Sequence, residues 1–331
     1  MHPDYRLVGT DVNERAIGFF MQGLLDAHYV CPRCGEPEYF PWMERLVARE
    51  KIDYAFVQPE SEIVAWGDYF EKRGTYPCPV FMGCKKLSVS LKDKSIMAEL
   101  LAGTEFIPKT IKVTQDDPRF EEVERELGVP CWIRATEGTG GLASLRLDDM
   151  SCYKSWLFIH REIPEFTVSE FLPGRHLANE MLYYNGEYVK GAALESVSYV
   201  MEKVVPSRVT GNTTYGRFLN EDRINRFCDE CMRYLERKLG VKAHGIFSFD
   251  LKEDVHGNLK VTEVNIRHMA YTGVMARLGF DLIEDTIRIL ETGSADGIVR
   301  APYFHYARPY VFLRDVDVEP IILESEDVFG Q

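Results

Sequence analysis

The first part of the chain alternates between two hydrophobic periods. Strand-like apolar runs lie at 5–11, 53–58 and 79–82, and stretches with helical spacing lie at 39–51 and 62–73. In the first helical stretch, Trp42, Leu46 and Val47 fall on one side. Strands that alternate with helices are typical of a parallel sheet. We therefore expect residues 1–90 to form a small doubly wound α/β domain.

After residue 90 the pattern changes to an α+β arrangement. Predicted helices cover 94–101, 118–127, 221–239 and 281–290, and predicted strands cover 107–113, 130–134, 143–147 and 166–172. A hairpin is expected over 181–191, because Asn185-Gly186 between two apolar runs is a strong turn signal. The tail after residue 300 gives no clear pattern.

A second hairpin carries unusual polar residues. Its strands cover 245–251 and 261–267, and its turn centres on 256–257. Strand alternation places Glu263, Asn265 and Arg267 on one face, and a symmetric hairpin places Asp250 opposite Glu263. Oxygen ligands of this kind suit Mg²⁺, and the arginine suits a phosphate oxygen. A solvated edge hairpin is the alternative interpretation.

Composition narrows the class of protein. The chain has 331 residues, which predicts two or three domains, and its net charge of −13 argues against general nucleic-acid binding. No apolar run approaches the roughly 18–20 residues of a membrane span, and the first residues lack the apolar core of a signal peptide. We expect a cytoplasmic protein with neither a membrane nor a nucleic-acid partner.

The eight cysteines are scattered, and one close pair, Cys31 and Cys34, has the C-x₂-C spacing. A structural zinc site needs a second pair. Cys78 and Cys84 are six residues apart and match that requirement poorly. A structural role for the first pair is favoured, with metal binding and redox chemistry as the alternatives.

Three further features suit a nucleotide. The Gly-rich segment 137–141 follows a strand that bears Arg134, and glycines let a backbone approach phosphate oxygens, although a plain hairpin turn is the alternative. Lys94 follows Asp93, a plausible N-cap, at the start of a helix, where a cation is unfavourable unless an anion binds there. Glu170 ends a strand as an isolated acid, for which a solvent-facing role is the alternative.

Taken in order, these features resemble the ATP-grasp superfamily, most closely its carbamoyl-phosphate-synthase-like and biotin-carboxylase-like branch. The residues that carry the resemblance are Asp93-Lys94, Arg134, Gly140-Gly141, Glu170-Phe171-Leu172, Asp250 and Glu263-x-Asn265-x-Arg267. The agreement in order and spacing extends over roughly residues 85 to 295. The resemblance implies an ATP-grasp fold preceded by a small Rossmann-like domain. The implied domains are 1–90, an N-terminal grasp lobe at 91–168 and a C-terminal lobe at 169–331.

The resemblance also implies how ATP is held. Lys94 and Arg134 would bind its phosphates. The residues of the lid over them would be Thr139, Gly140 and Gly141. Glu170 would accept a hydrogen bond from the adenine amino group, and the backbone of Phe171 and Leu172 would read the adenine edge.

The implied reaction site lies on the second hairpin. Asp250, Glu263 and Asn265 would hold Mg²⁺, or alternatively Mn²⁺, and Arg267 would face the transferred phosphoryl group. Arg208 would reach the substrate carboxylate or the γ-phosphate; a surface-loop arginine is the equally weighted alternative.

The chain departs from the family pattern at three places. Arg134 stands where a lysine is common, although the synthetase branch also uses arginine. His176 occupies the position at which many members carry an acid for the ribose hydroxyls, so we expect a changed ribose contact there. The usual first strand of the N-terminal domain and its Gly-rich turn are not found. A misplaced start site, a truncated chain and a reduced domain are the three alternatives.

The resemblance implies an ADP-forming carboxylate–amine or carboxylate–thiol ligase that works through an acyl-phosphate. Its partners would be ATP, a small carboxylate and an amine or thiol acceptor, and a homodimer is implied by the family alone. The alternative is a non-catalytic nucleotide-binding or regulatory module. Retention of the metal ligands Asp250, Glu263 and Asn265 argues against a degraded module.

Overall fold

The computed structural model describes residues 5–136, 143–200, 202–203, 205, 207–208, 212–315 and 318–324. The chain divides into two compact units, Met1–Phe81 and Met82–Gln331.

The first unit has a two-stranded parallel sheet and two helices. Its elements are β1 (Val8–Asp11), a 3₁₀ turn (Ile17–Phe19), β2 (Ala27–Val30), α1 (Tyr39–Glu50) and α2 (Glu60–Arg73). Helix α1 buries Tyr39, Met43 and Leu46, which recur at the spacing of one helical face. The helix ends at Lys51, whose φ of 54° is left-handed.

Two of the strands expected in this unit are wrong. The runs at 53–58 and 79–82 contribute one isolated parallel bridge, between Ala55 and Val80, and the first run is exposed or half-buried throughout. Phe56 remains 38% exposed, so the apolar run lacks the burial that would favour a longer ladder. The partner of β1 is β2, a short strand with little apolar periodicity that the sequence pattern did not reveal.

The second unit contains two antiparallel sheets. Its helices are α3 (Lys85–Lys92), α4 (Lys94–Leu101), α5 (Phe120–Glu126), α6 (Met150–Ile159), α7 (Asp222–Leu239), α8 (Thr272–Arg277) and α9 (Leu282–Thr292). The four-stranded sheet has the order β3 (Thr110–Thr114), β6 (Glu165–Glu170), β4 (Cys131–Ala135) and β5 (Leu145–Leu147). The seven-stranded sheet has the order β11 (Leu259–Asn265), β10 (Gly245–Glu253), β7 (His176–Tyr184), β8 (Glu187–Tyr199), β9 (Thr213–Leu219), β12 (Tyr310–Asp315) and β13 (Val318–Glu324).

The four-stranded sheet has its own core. Cys131, Ile133, Phe166 and Val168 alternate inward along β4 and β6 and pack with Tyr153 of α6. Each strand and helix expected between residues 94 and 172 is present with its central residues in the predicted state. Helix α6 was not expected.

Strand β7 is an interior strand of the large sheet, between β10 and β8, and its two faces differ. Helix α7 covers one face, where Asn179 donates to Asn225 over 2.7 Å and Tyr183 donates to Asp229 over 2.8 Å. The other face carries polar side chains, among them Glu180. The hairpin predicted at 181–191 is confirmed, because β7 turns into β8 through Asn185-Gly186, both with positive φ.

Candidate functional site

The β10–β11 hairpin places Asp250 directly opposite Glu263, as the sequence predicts. Nearer the turn, however, the register differs by one residue: a regular hairpin with Asp250 opposite Glu263 would place Glu253 opposite Lys260, whereas Glu253 pairs with Leu259. A β-bulge between the turn and the two acids, at Thr262, restores the pairing, and the Thr262 hydroxyl donates to the Asp250 carbonyl over 3.0 Å. Without this extra residue, the side chain of Glu263 would point to the opposite face of the sheet.

The two acids meet Asn265 and a lysine. Nδ2 of Asn265 donates to Oδ2 of Asp250 over 3.1 Å, and Nζ of Lys94 lies 3.4 Å from Oε1 of Glu263. Burial and the nearby Glu263 carboxylate raise the pKa of Asp250 to about 7, partly offset by Asn265 and Lys94. Two carboxylates and a carboxamide oxygen form a donor set that fits Mg²⁺, and a divalent cation would favour the ionised form of Asp250.

Lys94 reaches this position because of its place in the fold. Asp93 ends α3 and caps α4: its Oδ1 accepts from the backbone N–H groups of Ser95 over 2.8 Å and Ile96 over 3.1 Å. The cap fixes the first turn of α4, so the side chain of Lys94 is directed to β11 and is only 9% exposed.

Replacing Asp93 by Ala is expected to cost about 1 kcal/mol of unfolding free energy and to lower turnover on the order of 10-fold. Without the cap, the first turn of α4 no longer fixes the position of the Lys94 side chain. Asp149→Ala is the matched control, because Asp149 caps α6 by accepting from Cys152 N over 2.8 Å. Urea unfolding should show a similar loss of unfolding free energy in both variants. Specific activity should be normal in Asp149→Ala and reduced in Asp93→Ala. Equal activities of the two variants would contradict the role of the Asp93 cap.

Two arginines approach the same region. Burial lowers the pKa of Arg134, on β4, and the negative charge of Glu263 partly offsets this effect, so the guanidinium lies within electrostatic reach of Glu263. Nη1 of Arg267 donates to the carbonyl of His268 over 3.2 Å and contacts Sδ of Met269 at 3.4 Å. Arg134 of β4, Lys94 of α4 and Arg267 at the end of β11 thus each lie within electrostatic reach of one of the paired acids.

The residues predicted to contact adenine lie at the end of β6. Glu170 is exposed; its Oε2 accepts from the backbone N–H of Lys109 over 3.1 Å, and its own N–H donates to the Lys109 carbonyl over 3.0 Å. The guanidinium of Arg146 lies 4.6 Å from the ring centroid of Phe171, and Leu172 is buried. The Glu170 carboxylate is therefore anchored to the edge of β3 on one oxygen.

His176 starts β7 and hydrogen-bonds through Nδ1 to the hydroxyl of Tyr199. Burial and the positive charge of Lys252 lower the pKa of His176 to about 3, so the imidazole is neutral at physiological pH. A neutral ring therefore occupies the position where the family pattern has an acid.

The structure does not place two sets of predicted site residues beside the paired acids. Arg208 is exposed, has a left-handed φ of 57° and donates its backbone N–H to Val205. Across the described ranges, no hydrogen bond or ion pair joins its side chain to the paired acids. Thr139, Gly140 and Gly141 lie outside the described residues.

The sequence did not single out Glu180, which is completely buried in the middle of β7. It pairs with Ser248 of β10, which in turn pairs with Asn265, so the three residues form one row across the sheet. A single acid within the apolar run 177–184 was the available signal.

Glu180 predicts a pH dependence of stability. Burial raises its pKa to about 7, whereas an unfolded glutamate titrates near about 4.3. Between these pH values the unfolded chain releases a proton that the folded chain keeps, so the free energy of unfolding falls as the pH rises and stays low above the folded pKa. Glu180→Gln removes the contribution of Glu180 to this dependence, and the stability of the variant relative to wild type is expected to increase by about 4 kcal/mol across the window. Urea titrations in amine-free buffers check this, and parallel pH curves for the two proteins would contradict it.

Two broader observations complete the site. Among the described residues, no group of three or more histidine, cysteine, aspartate or glutamate side chains has a metal-binding arrangement, so the candidate magnesium ligands are two acids plus an amide. No helix in the described part of the chain has the length and apolar character needed to cross a bilayer.

No family model matches the chain, and no curated protein sequence matches it. Solved structures do. The biotin carboxylase domain of 2-oxoglutarate carboxylase from Hydrogenobacter thermophilus, solved as a dimer with MgADP, ADP and bicarbonate, matches with a TM-score of 0.68 and 13% identity. The match covers 93% of this chain and 69% of that one.

Two further matches have different activities. N5-carboxyaminoimidazole synthetase from Staphylococcus aureus, complexed with ADP, matches with a TM-score of 0.66 and 14% identity over 94% of this chain and 76% of that chain. L-amino acid ligase from Bacillus licheniformis matches with a TM-score of 0.62 and 14% identity over 88% and 69%. This chain has the ATP-grasp fold, which confirms the fold expected from its sequence. At these identities the likeness defines the fold and leaves the substrate open.

Proposed function

We propose that this protein is an ATP-dependent, ADP-forming ligase that joins a carboxylate to an amine or a thiol through an acyl-phosphate. The observation that supports this most strongly is the assembly of Asp250, Glu263, Asn265 and Lys94 from α4 and the β10–β11 hairpin. In this chain the bulge at Thr262 sets the register that pairs the two acids, and the cap at Asp93 starts the helix that carries Lys94.

In the proposed reaction, Asp250, Glu263 and Asn265 would hold Mg²⁺, which would supply positive charge to the ATP phosphates. The MgADP complex of the Hydrogenobacter biotin carboxylase domain supports this assignment by analogy of fold. Lys94 and Arg134 add positive charge for the phosphates, and Arg267 faces the transferred phosphoryl group.

The chain contributes mainly positioning and electrostatics. A substrate carboxylate oxygen attacks the γ-phosphorus, ADP leaves, and the acyl-phosphate is then attacked at its carbonyl carbon by the acceptor, which releases inorganic phosphate. Fixed cations stabilise the charge that develops on the phosphoryl oxygens, because they require no reorganisation during the reaction. Glu170, Phe171, Leu172 and the neutral His176 are proposed to hold the adenosine, and Thr139, Gly140 and Gly141 to cover the phosphates. Arg208 is proposed to reach the acid.

The test is incubation with Mg-ATP, hydroxylamine and pools of carboxylates, with ADP, AMP and hydroxamate followed together. ADP accompanied by a hydroxamate from one pool is expected, since hydroxylamine captures an acyl-phosphate. AMP in place of ADP would contradict the proposed chemistry. Tight binding of Mg-ATP with neither product in any pool would instead favour a nucleotide-binding module without ligase activity.

A further inference from the structure

The two oxygens of the Glu180 carboxylate have different surroundings. Oε1 accepts from the backbone N–H of Met269 over 3.0 Å and from the hydroxyl of Thr272 over 2.5 Å. Oε2 is buried and has no hydrogen-bond partner among the described residues. One oxygen thus holds the loop that follows Arg267, and the other is left to bind something else.

The hydroxyl of Tyr306 is a second buried polar group of this kind. Tyr306 is 3% exposed, and within the described ranges its hydroxyl oxygen has no hydrogen-bond partner. The charge of Glu180 contributes to a raised pKa of the Tyr306 phenol, so the two groups are electrostatic neighbours. The backbone of Tyr306 is fixed from both sides by Asn220, which accepts from Tyr306 N over 2.8 Å and donates to its carbonyl over 2.9 Å.

The surrounding residues do not satisfy these two groups. Ala178 and Ala192 flank Glu180 on the same face of the sheet and have no polar side-chain atoms. Tyr271 and Ser248 hydrogen-bond to each other over 3.0 Å. A buried acceptor without a partner costs about 1–3 kcal/mol, and more if it is charged, so two such groups within electrostatic reach of each other call for a ligand that satisfies both.

A cationic hydrogen-bond donor beside Oε2 would favour the ionised form of Glu180, whose pKa burial raises to about 7. An ammonium group has three donors, no acceptor and a positive charge, whereas a thiol is a weak donor. Arg267 is the cation whose charge acts on Glu180, but its Nη1 donates to the His268 carbonyl.

The geometry points to Glu180 and Tyr306 as the binding site for the ammonium group of a substrate, so that the ligase acts on a primary amine or an amino acid rather than a thiol. This inference rests on the proposed function and narrows it. The ammonium group belongs either to the acid that is phosphorylated or to the acceptor that attacks the acyl-phosphate.

The experiment measures binding by calorimetry and thermal shift, with and without Mg-ADP. The probes are the common L-amino acids, ethylammonium chloride, and the matching acids without an amino group, such as propionate for L-alanine. Wild type is expected to bind at least one ammonium compound more tightly than its amine-free analogue. Glu180→Gln is expected to weaken this binding on the order of 10- to 100-fold, because a charge-assisted hydrogen bond is lost, and to leave the affinity for Mg-ADP unchanged.

Tyr306→Phe is a second variant that removes a hydroxyl with no described partner, so it should fold normally and weaken ammonium binding about 5-fold. Tyr183→Phe is the matched control. Its hydroxyl donates to Asp229 on the opposite face of β7, so this variant should lose stability and keep its affinity for the probes.

Activity then separates the two sources of the ammonium group. If the acid carries it, the amino acid yields ADP and hydroxamate while its amine-free analogue does not. If the acceptor carries it, an amine-free acid yields hydroxamate, and the amine accelerates ADP release. The inference is overturned if no ammonium compound binds wild type, or if Glu180→Gln binds each probe as tightly as wild type, as expected for a carboxylate that holds only water. Loss of Mg-ADP binding or of ADP formation in wild type would instead contradict the proposed function.

Discussion

Glu263→Gln is expected to lower Mg-ATP turnover by at least ~10²-fold with the fold intact, on the scale of losing a major electrostatic stabiliser. The carboxylate faces Asp250 and lies 3.4 Å from Nζ of Lys94, so its charge contributes both to cation binding and to the position of the lysine. Stability should change little, because the lost attraction to Lys94 is offset by relief of repulsion with Asp250. Steady-state ADP release at several Mg²⁺ concentrations measures the effect.

Glu253→Gln is the control on the same hairpin. Glu253 is buried, accepts from Arg175 over 2.9 Å and also pairs with the more exposed Arg223. Its loss should destabilise the fold, because one carboxylate joins two arginines from different elements. Turnover per folded molecule should be normal. If Glu263→Gln turned over ATP at the wild-type rate, the assignment of the metal ligands would be wrong.

Lys94→Met is expected to reduce kcat/KM for Mg-ATP on the order of 10²-fold. Under the proposed function, the buried Lys94 ammonium stabilises the ATP phosphates in binding and in the transition state. Methionine retains most of the apolar volume of the lysine stem, so packing around α4 is preserved. The measurement is a series of initial rates over a range of Mg-ATP concentrations, together with Mg-ADP affinity by calorimetry.

Lys92→Met is the matched control for this lysine. Lys92 lies two residues earlier, at the end of α3, and is exposed, whereas Lys94 is buried. The same substitution at the two positions therefore changes the net charge equally but changes the site only at Lys94. Equal losses in both variants would show that the effect comes from overall charge and not from a phosphate contact.

Sequence patterns correctly predicted the elements that are set by apolar spacing, helix caps and turn residues. Helix α4 begins and ends where its apolar spacing and the Asp93 cap indicate, and α7 ends at Gly240, which has a left-handed φ of 65°. The hairpin at Asn185-Gly186 follows from its turn residues. These features depend on neighbours within a few residues, so one sequence is enough to predict them.

Elements that depend on distant partners were not predictable in this way. Strand β2 is four residues long and exists because β1 pairs with it, and β12 joins the large sheet through β9. The run 53–58 has the apolar content of a strand but lacks the partners for one. The contribution of each segment is decided by tertiary pairing, which periodicity does not report.

The candidate site shows the same division. Residue type and strand alternation brought Asp250, Glu263 and Asn265 to one face, and the structure places them in contact. The sequence did not identify Glu180 as a site residue. Its proposed role depends on Tyr306, and no sequence pattern predicted the position of Tyr306 in the fold. An unsatisfied oxygen is a property of three-dimensional neighbours and has no signature in the strand itself.

The bulge at Thr262 shifts the pairing register by one residue between the tip of the hairpin and the end that carries Asp250 and Glu263. A chain in which the turn gains one residue and the bulge is lost would present the same two acids to each other. Selection on this hairpin therefore acts on the number of residues between Asp250 and Glu263, while the location of the additional residue is free to drift. Comparison of distant relatives should then show a constant spacing between the two acids, with the irregularity moving along the strand from one chain to another.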